Sequence, residues 1–140
     1  TLVERKSLYT VIAKMSTRHA HCFNAALLSR LEREQWLPMR TITADNGAEF
    51  ARHSELASVL GASVYFAQPH CSWQRGTNEN TNGLIRQYLP KKTDFRLVSE
   101  ERIASVERAL NTRPRKKLGY RTPAEVMARR FRNPAVPLVT

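Results

Sequence analysis

Arg40-Thr41-Ile42-Thr43-Ala44-Asp45-Asn46-Gly47 opens as a short β-branched strand and closes on a turn signal, so Asp45 falls at the C-terminal tip of a strand. Downstream, the sequence predicts a helix around Ser54 to Leu60, a break at Gly61, and a second strand, Ser63-Val64-Tyr65-Phe66-Ala67, stopped by Pro69. Two strands joined through a helix pair in parallel, because only a crossover of that length returns the chain to the same end of a sheet. Ligands gather outside the carboxyl ends of such strands, which is the position given to Asp45.

On the N-terminal side, Leu2-Val3 and Leu8 to Ala13 are β-branched and aromatic runs split by Glu4-Arg5-Lys6-Ser7, the pattern of a hairpin. Ser16 or Thr17 can cap a helix with Ala20, Phe23, Leu27 and Leu31 at helical spacing, ending before Pro38 and expected to pack on the hairpin. On the C-terminal side, His70 to Gly76 is a polar loop, and a helix runs from about Thr77 to Tyr88 before Pro90. Lys91 to Val98 reads as a linker. Ser99, followed by Glu100 and Glu101, starts a helix with Ile103, Val106 and Leu110 inward, which Pro114 ends. Thr122-Pro123-Ala124-Glu125 is a capping box with proline at the first helical position, so the last helix begins at Pro123 and carries Val126 and Met127. There is no internal repeat or low-complexity tract.

The 140 residues fit one domain covering 1–140. The 41% hydrophobic and 25% charged content is that of a folding chain. Lys and Arg number 23 against 12 Asp and Glu, leaving +11 and a pI near 10.5. That balance favours a polyanion, and nucleic acid ahead of anionic lipid, since no lipidation motif or amphipathic basic helix is present. No apolar run is long enough for a membrane span. Cys22 and Cys71 form no CxxC pair, which fits a reducing cytoplasm. A chain opening on Thr1-Leu2-Val3, without Met and already strand-like, reads as an excised piece of something longer.

Metal-dependent phosphoryl transfer needs oxygen ligands converging from separate elements, because Mg²⁺ takes few carboxylates and keeps positions open for water and phosphate. Asp45 and Glu79 are the candidates. At 100° per residue Glu79, Asn82, Gly83 and Arg86 share one helix face, opposite Thr81, Leu84, Ile85 and Tyr88. Asn82 and Arg86 would lie along DNA beside Glu79, with Gly83 leaving room for close approach. A solvated helix face is the bland alternative. Glu49 follows Asp45 by four residues and is given a structural role near the turn. His19, His21, Cys22, His70 and Cys71 suggest zinc only weakly, since adjacent residues seldom chelate one ion. Trp73 can stack on DNA or pin the loop before the Glu79 helix, with pinning preferred, and Arg75 precedes a helix N-terminus suited to phosphate. Arg113, Arg115, Lys116 and Lys117 form a basic run, either a solvated turn or a contact to the DNA backbone without base readout.

Thr43-Ala44-Asp45-Asn46-Gly47-Ala48-Glu49-Phe50 resembles the segment around the second Asp of integrase-core transposases. Trp73-Gln74-Arg75-Gly76-Thr77-Asn78-Glu79-Asn80-Thr81-Asn82-Gly83-Leu84 resembles the segment around their Glu, and 33 residues separate Asp45 from Glu79. With Asn111-Thr112-Arg113-Pro114-Arg115-Lys116 and Leu118-Gly119-Tyr120-Arg121-Thr122-Pro123-Ala124-Glu125, these segments are similar to DDE transposases of bacterial insertion sequences, the family numbered thirty. The likeness covers nearly the whole chain.

The resemblance implies an α/β, ribonuclease-H-like fold of the retroviral integrase kind, a mixed five-stranded sheet flanked by helices. It implies two Mg²⁺ or Mn²⁺ ions held by Asp, Asp and Glu, with Asp45 and Glu79 as the second and third ligands. The family's first Asp precedes the segment that matches Thr1 to Met15, so the resemblance makes this an N-terminally truncated core. Neither Glu4 nor Asp94 matches that first position. The activity implied is DNA cleavage by water and strand transfer by a 3′-OH, on transposon ends and target DNA. It would take place in the bacterial cytoplasm at the nucleoid, by a homo-oligomer. The alternative is a truncated, inactive module that binds DNA or self-associates.

Overall fold

The computed structural model describes residues 1–15, 19–32, 39–44, 47–68 and 76–132, with side chains up to residue 130. In chain order the elements are β1 (Leu2–Val3), β2 (Thr10–Val11), α1 (Ala20–Glu32), β3 (Thr41–Ala44), α2 (His53–Leu60), β4 (Ser63–Phe66), α3 (Gly76–Ile85), α4 (Glu100–Thr112) and α5 (Pro123–Arg132). They fall into a continuous unit, Ala13–Gly76, and a split unit that joins Thr1–Ile12 to Thr77–Thr140. Among the described residues the strands form two two-stranded sheets, so the chain is mixed α/β.

In the continuous unit, β3 and β4 pair in parallel with Thr41 opposite Ser63 and Ala44 opposite Phe66, as the strand, helix, strand order requires. The ladder reaches one residue past each strand, with Ser63 N donating to Arg40 O (2.9 Å) and Ala67 N to Ala44 O (2.8 Å). Ile42 and Ala44 are buried while Thr41 and Thr43 are exposed, the two-residue period of a strand covered on one face. Between the strands, Leu56 of α2 is 1% exposed. Gly61 ends α2 in the left-handed conformation (φ 61°) that costs glycine little. Helix α1 buries Leu27 and Leu31 as its spacing predicts. It packs on the turn Ala48–Phe50, where Phe23 meets Phe50 edge-on at 4.7 Å, and the buried Asn24 donates Nδ2 to Arg52 O (3.0 Å).

The split unit is built around α4. Ile103, Val106 and Leu110 form one buried cluster with Ile85, Leu89 and Val98, against which Ile12, Leu84 and Tyr88 pack. Ser99 Oγ caps the helix by accepting from Arg102 N (3.1 Å). The expected capping box closes reciprocally at α5: Thr122 N donates to Glu125 Oε2 (2.8 Å) and Glu125 N to Thr122 Oγ1 (3.1 Å). Met127 is buried as well. The expected linker contains a turn of 3₁₀ helix at Phe95–Leu97, capped by the Asp94 carboxylate.

The antiparallel hairpin β1–β2 pairs Leu2 with Val11 and Val3 with Thr10. Within its own unit the element that holds it is α4. Asn111 Oδ1 accepts from Thr10 N (2.9 Å), Asn111 Nδ2 donates to Thr10 O (2.8 Å), and Glu107 Oε2 accepts from Ile12 N (2.7 Å). Two side chains one helical turn apart thus stand in for a neighbouring strand. No described helix is long and apolar enough to cross a membrane.

Candidate functional site

Helix α3 has the two faces that its sequence predicts. Thr81 and Ile85 are buried, with Leu84 and Tyr88 half-buried beside them, and Thr81 Oγ1 is satisfied by donating to Thr77 O (2.9 Å). Glu79, Asn82, Gly83 and Arg86 are exposed on the opposite side. A Cβ at Gly83 would meet nothing within 4 Å. No contact among the described residues therefore calls for glycine there, although glycine inside a helix costs about 1 kcal/mol relative to alanine. The face is small, polar and open, with a carboxylate in the first turn and the Arg86 guanidinium one residue past the end, where Arg86 N still donates to Asn82 O (3.0 Å).

Asp45 and Asn46 lie outside the described residues, as do His70, Cys71, Trp73, Gln74 and Arg75, and the proposed caps Ser16 and Thr17. The strand that leads to Asp45 is described to Ala44. Beyond the turn, Glu49 folds its carboxylate against Gly47: a Cβ added there would fall 2.5 Å from Glu49 Oε2. The contact is with the end of a flexible side chain, which a Cβ would displace, and it accords with a structural part for Glu49.

The two spare acids are both engaged locally. Glu4, half-buried, accepts from the amides of Lys6 (3.2 Å) and Ser7 (2.6 Å) and from the Ser7 hydroxyl, and pairs with Arg130 (3.2 Å). Burial alone would raise its pKa, but the Ser7 and Lys6 donors and Arg130 together hold it below the ordinary glutamate value. Asp94 accepts from the backbone and guanidinium of Arg96, which lowers its pKa. His19 and His21 stack at 5.8 Å, and Cys22 Sγ lies 3.2 Å from His21 Nε2. Among the described residues no three His, Cys, Asp or Glu are grouped to hold a metal ion.

The basic run divides by role. Arg113, Lys116 and Lys117 are exposed, and Arg113 reaches Gln87 Oε1 (3.3 Å). Arg115 is half-buried and donates to Leu110 O (3.1 Å), while its Nε is buried with no partner among the described residues. Burial, and then the neighbouring Arg113, lower its pKa against an opposing effect of Tyr88. Its backbone closes a loop, with Arg115 N donating to Arg121 O (3.0 Å) and Tyr120 N to Arg115 O (2.9 Å). Charge density alone did not distinguish Arg115 from its neighbours. Glu107 and Asn111 were also missed, although a signal was present: both are polar residues on the inward stripe of an amphipathic helix.

No family model matches the chain. Its relatives are transposases. It is 46% identical over 134 residues to the transposase for insertion sequence element IS1086 of Cupriavidus metallidurans, covering 95% of this chain and 39% of the relative. It is 44% identical over 129 residues to the InsI transposase for IS30A of Escherichia coli K12, covering 92% and 34%. To the transposase for IS4351 of Bacteroides fragilis it is 59% identical over 87 residues, covering 62% and 27%. The chain thus spans well under half the length of these curated relatives.

Proposed function

Because the chain belongs to the IS30-type insertion-sequence transposases, we propose that it forms part of a catalytic core that cuts and rejoins DNA, with Asp45 and Glu79 as metal-binding carboxylates. The observation that carries this reading is the exposed face of α3, on which Glu79, Asn82, Gly83 and Arg86 stand together while the opposite face packs. The parallel β3–β4 pair crossed over through α2, and the antiparallel hairpin, are parts that a ribonuclease-H-like sheet contains, which supports that fold.

The donor set suits a hard cation, since Asp45 and Glu79 offer only oxygen and Glu79 stands exposed beside a position with no side chain. Divalent ions bound there would supply Lewis-acid stabilisation at a phosphodiester and a more acidic attacking hydroxyl. Asn82 donates to a backbone phosphate oxygen one turn from Glu79, and Arg86 one turn further neutralises phosphate charge. Arg113, Lys116 and Lys117 add sequence-independent attraction by counterion release, and Arg115 holds their loop in shape. The working form in this proposal is a homo-oligomer acting on DNA in the cytoplasm.

The test is transfer of a labelled transposon end into plasmid DNA by the full-length protein in Mg²⁺ or Mn²⁺, with duplex binding measured in parallel. Glu79→Gln and Asp45→Asn are expected to reduce transfer on the order of a thousandfold or more, and to leave duplex affinity within about twofold. A Glu79→Gln protein that still transfers ends would refute the assignment. Binding that does not weaken between two salt concentrations would refute the electrostatic part.

A further inference from the structure

Tyr120 is 70% exposed, the backbone beneath it is left-handed (φ 63°), and exposed cations surround it in sequence. A bulky residue pays for that conformation, which costs non-glycine residues on the order of 1 kcal/mol and persists only where neighbouring structure dictates it. Here the loop dictates it. Tyr120 N is tied to Arg115 O (2.9 Å), Arg115 N to Arg121 O (3.0 Å) and Gly119 N to Lys116 O (3.0 Å), while the Leu118 side chain is buried as the loop's anchor. The ring is therefore held out in solvent on a fixed stalk. Arg113, Lys116, Lys117 and Arg121 are exposed and flank it in sequence, and no acid occurs between Arg113 and Arg121.

We propose that Tyr120 is a stacking platform for an unpaired DNA base, with Lys116, Lys117 and Arg121 holding the phosphates on either side. Charge and ring together point to the occupant: the cations call for an anion and the exposed ring for a flat face, and a nucleotide offers a π-face and an anion together. A tyrosine on a fixed backbone has only two side-chain torsions left to order on binding, so holding a single base costs it little rotamer freedom. This inference rests on the DNA reading above and adds to it a preference for distorted or single-stranded substrate.

The experiment compares the full chain and its variants on two oligonucleotides, a matched duplex and the same duplex with one bulged 2-aminopurine, read by anisotropy and by probe fluorescence. The wild-type protein is expected to quench the bulged probe and to favour the bulged DNA. Tyr120→Ala is expected to lose the quench and about tenfold in affinity for the bulge, with matched-duplex affinity unchanged. Tyr120→Asn removes the ring but accepts the left-handed backbone, so it separates stacking from loop collapse; it is expected to match Tyr120→Ala. Tyr120→Trp is expected to retain the preference. Equal affinity of wild type and Tyr120→Asn for the bulge, with normal duplex binding, overturns the stacking role and leaves the DNA reading standing. Failure of the wild type to bind either DNA overturns both. Loss of self-association in Tyr120→Asn, with DNA binding intact, assigns the ring to a second copy of the chain and overturns the proposal.

Discussion

The two units satisfy the edge of a strand in different ways. In the continuous unit β3 meets β4, and the backbone groups of Arg40 and Ala44 find their partners on Ser63 and Ala67. In the split unit β2 has β1 on one side and, on the other, the side chains of Glu107 and Asn111. Buried N–H and C=O groups must be paired either way. A strand partner does this with any sequence of suitable period. A helix partner does it only with particular side chains at particular positions, so the split unit rests its hairpin on two residues where the continuous unit rests its strand on a ladder.

The sharpest way to break the contrast is to remove the support under those two residues. Leu110 is 0% exposed and lies between Glu107 and Asn111 in α4. Leu110→Ala is expected to destabilise the split unit by about 3 kcal/mol, measured by urea unfolding. Asn111→Leu keeps the size and removes both bonds to Thr10, orphaning a buried donor and acceptor, at about 2 kcal/mol. Its signature is loss of hydrogen-exchange protection at Thr10, with Ser63 and Ala67 of the other unit unaffected. If Thr10 stays protected, Asn111 is not the edge's partner. Thr122→Ala opens the capping box and is expected to cost about 1 kcal/mol.

Acidity acts on the same unit. Glu4 closes the turn before β2, and its carboxyl is held below its ordinary range by Ser7, Lys6 and Arg130 against burial. Its contribution is complete above the ordinary glutamate range and is lost as pH falls through the lowered value of the folded protein. Acid titration followed by hairpin amide shifts is expected to show wild type losing order there, and Glu4→Gln, weaker at neutral pH, losing no more. The smallest effect belongs to the continuous unit, where Tyr65 is exposed on β4. Tyr65→Thr is expected to change stability by no more than about 0.5 kcal/mol, and a larger loss would show that this face is covered.

Local chemistry made much of this legible. The parallel pair followed from β-branched runs on either side of a helix, the inward stripe of α4 from its period, and α5 from its capping box. The polar face of α3 likewise followed from 100° periodicity, which placed Glu79 beside Asn82 and Arg86. What escaped depends on distant segments or on dihedral angles. The bond from Thr10 to Asn111 joins residues 101 apart, and no local pattern announces it. Composition could count Arg115 among the cations but not turn it toward Leu110 O. The left-handed backbone of Tyr120 follows from the bonds that close its loop, and its residue type argues against it.

That separation of 101 residues also has a meaning in time. A chain emerging from the ribosome presents Ala13–Gly76 whole before Glu107 or Asn111 exists, so the continuous unit has every segment it needs while the hairpin still waits for its helix. Closing so long a span precedes any reward from the contact, which makes it a late event. In nascent chains halted short of Glu107, the amides of Thr10 and Ile12 are expected to exchange as fast as those of an unfolded peptide, and slow exchange there would show that the hairpin can stand without α4.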